Sequence, residues 1–131
     1  MTSESTSLVV FNLPAELEEL RLQRAARQLA IAQEREAKIK ARRKQLAEFR
    51  KLPGSVTRST LESIASCESG GDPKVVSSDG LYHGKYQFHP DTWESVGGKG
   101  LPSEAPEAEQ DFRAALLYER SGPGQWPVCG S

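Results

Sequence analysis

Glu68 has the residue type and the setting for chemistry, because it lies where a short helix has to end. Ser59 and Glu62 have the spacing of a capping box, and the pair Gly70-Gly71 follows Glu68 closely. Three apolar residues at helical spacing lie between these signals: Leu61, Ile64 and Ala65. The pattern predicts a helix of about ten residues with Glu68 in its last turn.

The end of a helix suits a carboxyl group that has to act as an acid. The negative end of the helix dipole disfavours a second negative charge there, and an apolar wall around the side chain would disfavour it further. Both effects would keep a proton on Glu68 to higher pH, which is the requirement for a general acid. The alternative interpretation is a solvated glutamate with no chemical role.

Charge divides the chain into two unlike halves. The 131 residues have a formal net charge of -1. Residues 14–52 carry eleven Lys or Arg against six Glu, whereas residues 53–131 carry six against eleven Asp or Glu. This contrast, with the turn residues between the halves, predicts a flexible lead (1–13), a long helix (14–52), a linker (53–58) and a small domain (59–131).

One long charged helix is predicted from Ala15 to about Lys51, with Pro14 in its first turn and a Pro-Gly pair at its end. Glu36 and Arg43 interrupt its apolar stripe, as a good heptad repeat would not. The stripe itself has steps of three and four residues: Leu22, Ala25, Leu29, Ala32, Ile39 and Leu46. Such a helix buries too little to be stable alone, so we expect it to pack on copies of itself, on another protein or on the C-terminal domain.

The basic second half of this helix could also touch nucleic acid or an anionic surface. Interleaved glutamates and a single aromatic residue, Phe49, make nucleic-acid binding the weaker interpretation. A solvated arm that resembles a coiled coil is favoured. No stretch is long and apolar enough to span a bilayer, and the apolar run from Leu8 to Phe11 is too short for a signal peptide, so neither is predicted.

Four segments of the C-terminal half have the order and spacing of one known family. They are CESGG at 67–71, GLYHGKYQFHPDTW at 80–93, AEQDFRAALLYER at 108–120 and GQWPVCG at 124–130. Together they resemble the transglycosylase-like domain of actinobacterial resuscitation-promoting factors. Those factors usually read YYGGLQF, whereas LYHGKYQF is one residue longer here and is similar to a neighbouring YxGxYQF branch.

The resemblance implies a small lysozyme-like domain, of the α+β class but mostly α, that acts on peptidoglycan. It also implies that Glu68 is the catalytic acid and that Cys67 and Cys129 form a disulfide. The residues alone leave two free thiols open as an alternative. A metal site is poorly supported, since His83 and His89 lie far from both cysteines, and the implied chemistry requires no cofactor.

Residues 74–90 are predicted to form a short hairpin or loop along one wall of a groove. Sugars are bound by aromatic faces combined with hydrogen-bonding side chains, and this region supplies that mixture. The candidate sugar contacts are Tyr82, Tyr86, Gln87 and Trp93. Core packing is the alternative for Phe88, and Trp93 could serve both purposes.

Two more helices are predicted, one over Asp91–Val96 and one from about Pro106 to Arg120. The second helix has a predicted core face made of Phe112, Ala115 and Leu116, and Trp126 is expected to cover the same core.

A glycosidase that hydrolyses with two carboxylates needs a second Asp or Glu about 5 to 9.5 Å from the first. Asp79 and Asp72 are the near candidates. Asp79 could bind the substrate by stabilising positive charge on the sugar, although a surface turn aspartate without a catalytic role is the more ordinary interpretation. The resemblance implies a route through Glu68 alone, which would protonate the glycosidic oxygen and then accept the proton of the sugar's 6-hydroxyl. That route gives a 1,6-anhydro product.

The sequence thus predicts an enzyme that cleaves the β-1,4 bond between N-acetylmuramic acid and N-acetylglucosamine in peptidoglycan glycan strands. Helix 14–52 would attach it to a virion protein or to copies of itself. Without a predicted signal peptide, the expected location is a phage virion, or the extracellular wall after lysis. The alternative is a glycan-binding or structural virion protein that has the same fold and no activity.

Overall fold

Helices dominate the fold. The computed structural model describes the backbone of residues 2–131 and the side chains of residues 14–131. It contains four α-helices: α1 (Thr2–Phe49), α2 (Arg58–Ser69), α3 (Pro90–Ser95) and α4 (Glu107–Ser121). Two 3₁₀ turns, Pro102–Glu104 and Pro123–Gln125, complete the elements. In the described residues β-structure is limited to isolated bridges, so the predicted mostly α class is confirmed.

α1 begins earlier than the sequence predicts. Its backbone is helical from Thr2 and Pro14 lies inside it, so the predicted start at Pro14 is wrong. Proline lacks one N–H donor and therefore removes one helical hydrogen bond, but the turns on both sides of Pro14 remain helical. At the other end, the predicted Pro-Gly stop is confirmed, since α1 ends at Phe49 and Gly54 has a positive φ of 73°.

The chain divides into two compact units between Arg42 and Arg43. The second unit therefore begins inside α1 and not at the predicted linker. Its first side chains already pack on α4: the ring centroids of Phe49 and Phe112 lie 5.2 Å apart, and the guanidinium carbon of Arg113 lies 5.5 Å from the Phe49 centroid. The last turn of α1 thus belongs to the C-terminal unit.

α2 has a different cap from the predicted one. Thr57 is the N-cap, and its hydroxyl oxygen accepts a hydrogen bond from the Thr60 amide at 3.1 Å. Ser59 lies inside the first turn, so the predicted capping box is wrong. Thr57 lies three residues before its partner Thr60 and has the extended backbone conformation that an N-cap needs. The predicted end is confirmed, because Gly70 adopts the left-handed conformation at the C-cap.

The other two helices lie within one residue of the predicted bounds at each end. On α4, Ala115 is fully buried as predicted, whereas Phe112 and Leu116 are half-buried. The core face is therefore rotated toward Ala114 and Leu117, which are both buried. The small side chains of Ala114 and Ala115 let α4 pack closely in the core.

The core of the C-terminal unit is built around aromatic rings. Trp93 is fully buried, and its ring centroid lies 5.2 Å from that of Phe88. Trp126 is also buried, and its indole nitrogen donates to the carbonyl oxygen of Tyr86 at 3.1 Å. The predictions that Phe88 packs in the core and that Trp126 covers it are confirmed. Edge-to-face rings at these distances contribute beyond their burial alone.

The predicted hairpin or loop is a loop. Two isolated antiparallel bridges, Val76 with His83 and His83 with Phe88, are the β-structure of the described residues. Much of the backbone between α2 and α3 therefore takes its hydrogen bonds from turns and from side chains of other elements.

Gln110 of α4 supplies two of these hydrogen bonds and makes a third to Ala105, just before α4. Its side chain is fully buried, and its carbonyl oxygen accepts from the Lys85 amide at 2.8 Å. Its amide nitrogen donates to the carbonyl oxygens of Pro73 and Ala105 at 3.0 and 2.9 Å. Gly84 passes directly over this amide with φ +81°, and a Cβ at that position would overlap the Gln110 oxygen. The path of the loop therefore requires a glycine there.

Gln110→Leu should destabilise the protein strongly, because it keeps the side-chain volume but leaves three partly buried backbone groups without partners. We expect the free energy of unfolding to fall by about 3 kcal/mol, measured by urea denaturation. The matched control is Gln125→Leu at an exposed position, which should change it by less than about 0.5 kcal/mol. Equal effects of the two substitutions would contradict the role given to Gln110.

Cys67 and Cys129 form a disulfide, which confirms the pairing implied by the family resemblance. The bond joins the last turn of α2 to the C-terminal tail across a sequence separation of 62 residues. A unit this small has a limited core, so a cross-link of this kind supplies a large share of its stability.

Loss of the disulfide should lower the free energy of unfolding by about 4 kcal/mol, the chain-entropy value for a loop of this length. The test compares thermal unfolding of the native protein with and without reducing agent, and of Cys67→Ser/Cys129→Ser. Reducing agent should lower the melting temperature of the native protein and leave the double variant unchanged. An identical melt of the native protein in both conditions would contradict the structural role of the bond.

Candidate active site

Glu68 lies in the last turn of α2, between two anchored neighbours. Cys67 is bonded to Cys129 of the tail. On the other side, the Ser69 hydroxyl donates to the carbonyl oxygen of Lys85 at 2.7 Å. The backbone that carries Glu68 is therefore fixed to the C-terminal tail and to the loop at once, which restricts the positions its carboxyl group can reach.

The surroundings of Glu68 favour its protonated form. The side chain is half-buried, and this burial raises the pKa of Glu68 above its ordinary value of 4.5. Among the described residues no charge or hydrogen bond opposes the shift. The predicted direction of the shift is confirmed, with burial as its cause. A carboxyl group of this kind can donate a proton nearer to neutral pH than an exposed glutamate can.

Two of the predicted sugar contacts lie in the core. Tyr86 is 1% exposed and Trp93 is 0% exposed, so neither ring presents a face to a ligand in this structure. The Tyr86 hydroxyl donates to Asp111 at 2.5 Å, and the Trp93 indole nitrogen donates to the Lys99 carbonyl oxygen at 3.2 Å. Burial of both rings supports the core role that the sequence left open for Trp93 and gives Tyr86 the same role, because a small unit uses its largest apolar rings to fill the core.

Tyr82 and Gln87 have more exposed positions. The Tyr82 side chain is 43% exposed, and its ring lies 6.2 Å from that of His89 in an edge-on arrangement. Gln87 is half-buried with a positive φ of 53°, and its amide nitrogen donates to the Gly84 carbonyl oxygen at 2.9 Å. Tyr82 therefore offers an open aromatic face, whereas Gln87 uses its side-chain nitrogen to hold the loop.

Asp79 lies in an exposed turn. One carboxylate oxygen accepts from the Ser77 hydroxyl at 2.5 Å and from the Leu81 amide at 3.0 Å. These two hydrogen bonds lower the pKa of Asp79, so its carboxylate stays ionised. The geometry is that of an aspartate that stabilises a turn, the alternative interpretation of this residue.

Sequence reasoning missed a partly buried ionic cluster between the loop and α4. The Lys85 ammonium lies 2.8 Å from Asp111 and 3.0 Å from Glu107. Burial disfavours the charged form of Lys85, but its hydrogen bonds to Asp111 and Glu107 outweigh that effect and raise the pKa of Lys85. Glu107 and Asp111 share a face of α4 through their four-residue spacing, but nothing in the sequence indicates which lysine they meet.

The described residues contain no group of three or more His, Cys, Asp or Glu side chains that could hold a metal ion. Within the same part of the chain, no helix has the length and apolar character to cross a membrane.

The family and the relatives agree with the resemblance found in the sequence. The family model described as "Transglycosylase-like domain" matches residues 55–129, more than half of the chain. The chain belongs to this transglycosylase-like domain family. Its matched segment includes Glu68 and both cysteines.

Three relatives illustrate how much of each protein is shared. "Resuscitation-promoting factor Rpf" of Micrococcus luteus is 40% identical over 75 residues, which cover 57% of this chain and 33% of that protein. "Probable transglycosylase SceD" of Staphylococcus carnosus is 50% identical over 70 residues, covering 50% of this chain and 30% of that protein. "Resuscitation-promoting factor RpfD" of Mycobacterium tuberculosis is 41% identical over 70 residues, which cover 53% of this chain and 45% of that protein. The chain thus matches less than half of the length of each relative.

Glu68 should make the protein less stable as the pH rises from about 4 to neutral. Its pKa is raised on folding, so the folded state binds the proton more tightly than the unfolded state, and this stabilisation is lost as pH rises through the folded-state pKa. Glu68→Gln removes the charge, so its melting temperature should match that of the native protein at pH 4 and exceed it at pH 7. A lower melting temperature for Glu68→Gln at pH 7 would contradict the raised pKa.

Proposed function

We propose that this protein cleaves peptidoglycan glycan strands at the β-1,4 bond between N-acetylmuramic acid and N-acetylglucosamine, with Glu68 as the catalytic acid. The observation that carries the proposal is a half-buried carboxyl group with a raised pKa at the anchored end of α2, inside the segment that matches the family model. The staphylococcal relative, named a probable transglycosylase, supports the reaction class.

Glu68 can serve both proton transfers of a lytic transglycosylase. Protonated Glu68 gives its proton to the glycosidic oxygen as the bond from that oxygen to C1 of N-acetylmuramic acid breaks. The resulting carboxylate accepts the proton of the 6-hydroxyl as its oxygen bonds to C1, which yields the 1,6-anhydro sugar and regenerates the acid. No water is consumed and one carboxyl group is sufficient, which agrees with Asp79 being occupied in a turn.

The glycan is proposed to pass along the loop that follows α2. Tyr82 offers the open aromatic face on which a sugar ring can stack. Gln87 and Asp79 are proposed to border the same path, Gln87 through its side-chain oxygen and Asp79 through its ionised carboxylate. The buried rings of Tyr86 and Trp93 support the loop from beneath.

α1 is proposed to act as an attachment arm that delivers the catalytic unit to the wall, in a phage virion or outside the cell. Every described side chain from Pro14 to Arg42 is exposed, so this part of the helix presents its whole surface to a partner. Such an arm favours a protein that works while attached to an assembly. The test asks whether the protein copurifies with assembled phage particles. Copurification of the full chain, but not of a chain that lacks residues 14–42, would support the virion setting.

Glu68→Gln should abolish cleavage, with a loss of about 10²- to 10⁴-fold, because the amide cannot donate the proton while it preserves the shape of the side chain. The assay is mass spectrometry of the soluble products released from purified peptidoglycan. Glu62→Gln is the matched control, since this exposed glutamate lies on the same helix, and it should retain the native activity.

The products also distinguish the reaction types. Anhydro-muropeptides from the native protein would establish the transglycosylase, and products one water heavier would establish a hydrolase and make Asp79→Asn the next variant. Full activity in Glu68→Gln would overturn the catalytic assignment. Binding of peptidoglycan without any product from the native protein would indicate a glycan-binding role instead.

A further inference from the structure

α1 carries an exposed seam of residues that follow one another at alternating steps of three and four. The seam is made of Glu18, Leu22, Ala25, Leu29, Ala32, Glu36, Ile39 and Arg43. Its three large apolar side chains are more than half exposed: Leu22 is 62% exposed, Leu29 60% and Ile39 52%. Alternating steps of this kind place all eight residues on one face of the helix, in the arrangement of a coiled-coil interface.

Contacts within the helix are too weak to stabilise this part of α1 alone. Its described ion pairs, Glu18 with Arg21 at 3.5 Å and Glu34 with Lys38 at 3.1 Å, are exposed, and pairs of this kind contribute only tenths of a kcal/mol. A helix gains most of its stability from burying an apolar face, which here means that the seam has to be covered.

The charges within the seam decide how a second copy can cover it. In a parallel pair in register, each seam residue meets its own copy, so Glu18, Glu36 and Arg43 would each face a like charge. In an antiparallel pair, the two seams run in opposite directions, so the first residue of one seam meets the last residue of the other. Glu18 then faces Arg43 of the second copy, and by symmetry this attractive contact occurs twice.

The antiparallel register also matches the apolar residues. Leu22 faces Ile39 of the second copy, and Leu29 faces Ala32, so large residues meet apolar partners along the middle of the interface. Glu36 faces the small side chain of Ala25, past which its carboxylate can reach solvent.

The charges that flank the seam do not decide the orientation. In the antiparallel register Glu19 faces Lys40 of the second copy, an attractive pair, and Arg21 faces Arg42, a repulsive one. These exposed pairs offset each other, so the seam residues decide the orientation.

We propose that two copies of this chain associate through an antiparallel coiled coil formed by residues 18–43 of α1. The contact is closed and two-fold symmetric, so it ends at a dimer and not at a filament. Leu46 continues the same spacing but lies outside the proposed interface, because it is half-buried in the C-terminal unit. The C-terminal units of the two copies leave the coiled coil at its opposite ends.

The test measures self-association of the full chain by sedimentation equilibrium. The native protein should form dimers. Glu18→Arg and Arg43→Glu should each weaken the dimer by about tenfold, because each replaces two attractive contacts by two repulsive ones. The double variant Glu18→Arg/Arg43→Glu restores both attractions and should dimerise like the native protein.

Two further variants separate the seam from general effects of charge. Leu29→Lys lies at the middle of the seam and should abolish dimers, whereas Leu17→Lys, an equally exposed leucine off the seam, should leave them intact. Circular dichroism of each variant checks that the C-terminal unit remains folded.

Three results would overturn the proposal. A native protein that stays monomeric at every concentration would show that copies of this chain do not cover the seam. A dimer that is insensitive to Glu18→Arg and Arg43→Glu would show a parallel arrangement, in which these changes exchange one like pair for another. Equal loss of dimers in Leu17→Lys and Leu29→Lys would place the contact on a different surface.

Discussion

Lys85 is the residue through which the elements of the C-terminal unit hold one another. Its backbone amide donates to Gln110 of α4, and its carbonyl oxygen accepts from Ser69 of α2. Its ammonium group pairs with Asp111 and Glu107, again on α4. One loop residue therefore joins the two main helices by backbone and side chain together. Because the hydrogen bonds lie in a partly buried region, losing one partner would leave polar groups without compensation.

The position of the candidate acid depends on this arrangement. Ser69 is held by the Lys85 carbonyl oxygen, and Cys67 is held by the disulfide, so Glu68 lies between two fixed neighbours. The same packing that fixes the end of α2 also withdraws the Glu68 carboxyl group partly from water, which raises its pKa. Stability and chemistry are thus opposed at this residue. Its environment favours a neutral acid and makes the ionised form costly at neutral pH.

The two units of the chain meet different physical requirements. The C-terminal unit buries aromatic rings and polar side chains in a small volume, and it adds a disulfide to compensate for its size. The described part of α1 before Arg43 has no buried side chain, and its residues are mostly charged or small. A catalytic unit needs a fixed geometry, whereas an arm needs only a regular surface. The break between the two units falls within one helix, so the proposed catalytic unit and the proposed arm share α1.

The sequence by itself determined the helices, the family and the candidate acid. Helix spacing and glycine stops are local signals, so the end of α2 at Gly70 and the bounds of α3 and α4 could be predicted from neighbouring residues. Local signals were less secure where two solutions compete, as at the cap of α2, where Thr57 and not Ser59 has the extended backbone. The predicted start of α1 is wrong because proline is common in the first turn of a helix but does not have to lie there, and Pro14 lies inside α1.

Only the tertiary structure decided which side chains face the core. Tyr86 and Trp93 have the residue types of a sugar-binding surface, and no pattern along the chain distinguishes that role from burial, because both depend on what packs against the ring. The contacts of Gln110 gave no local signal for the same reason. Its partners, the Lys85 amide and the Pro73 carbonyl oxygen, lie 25 and 37 residues away along the chain. Residue types fix what chemistry is possible, but exposure and partnership arise from contacts between distant segments, and those exist only in the folded chain.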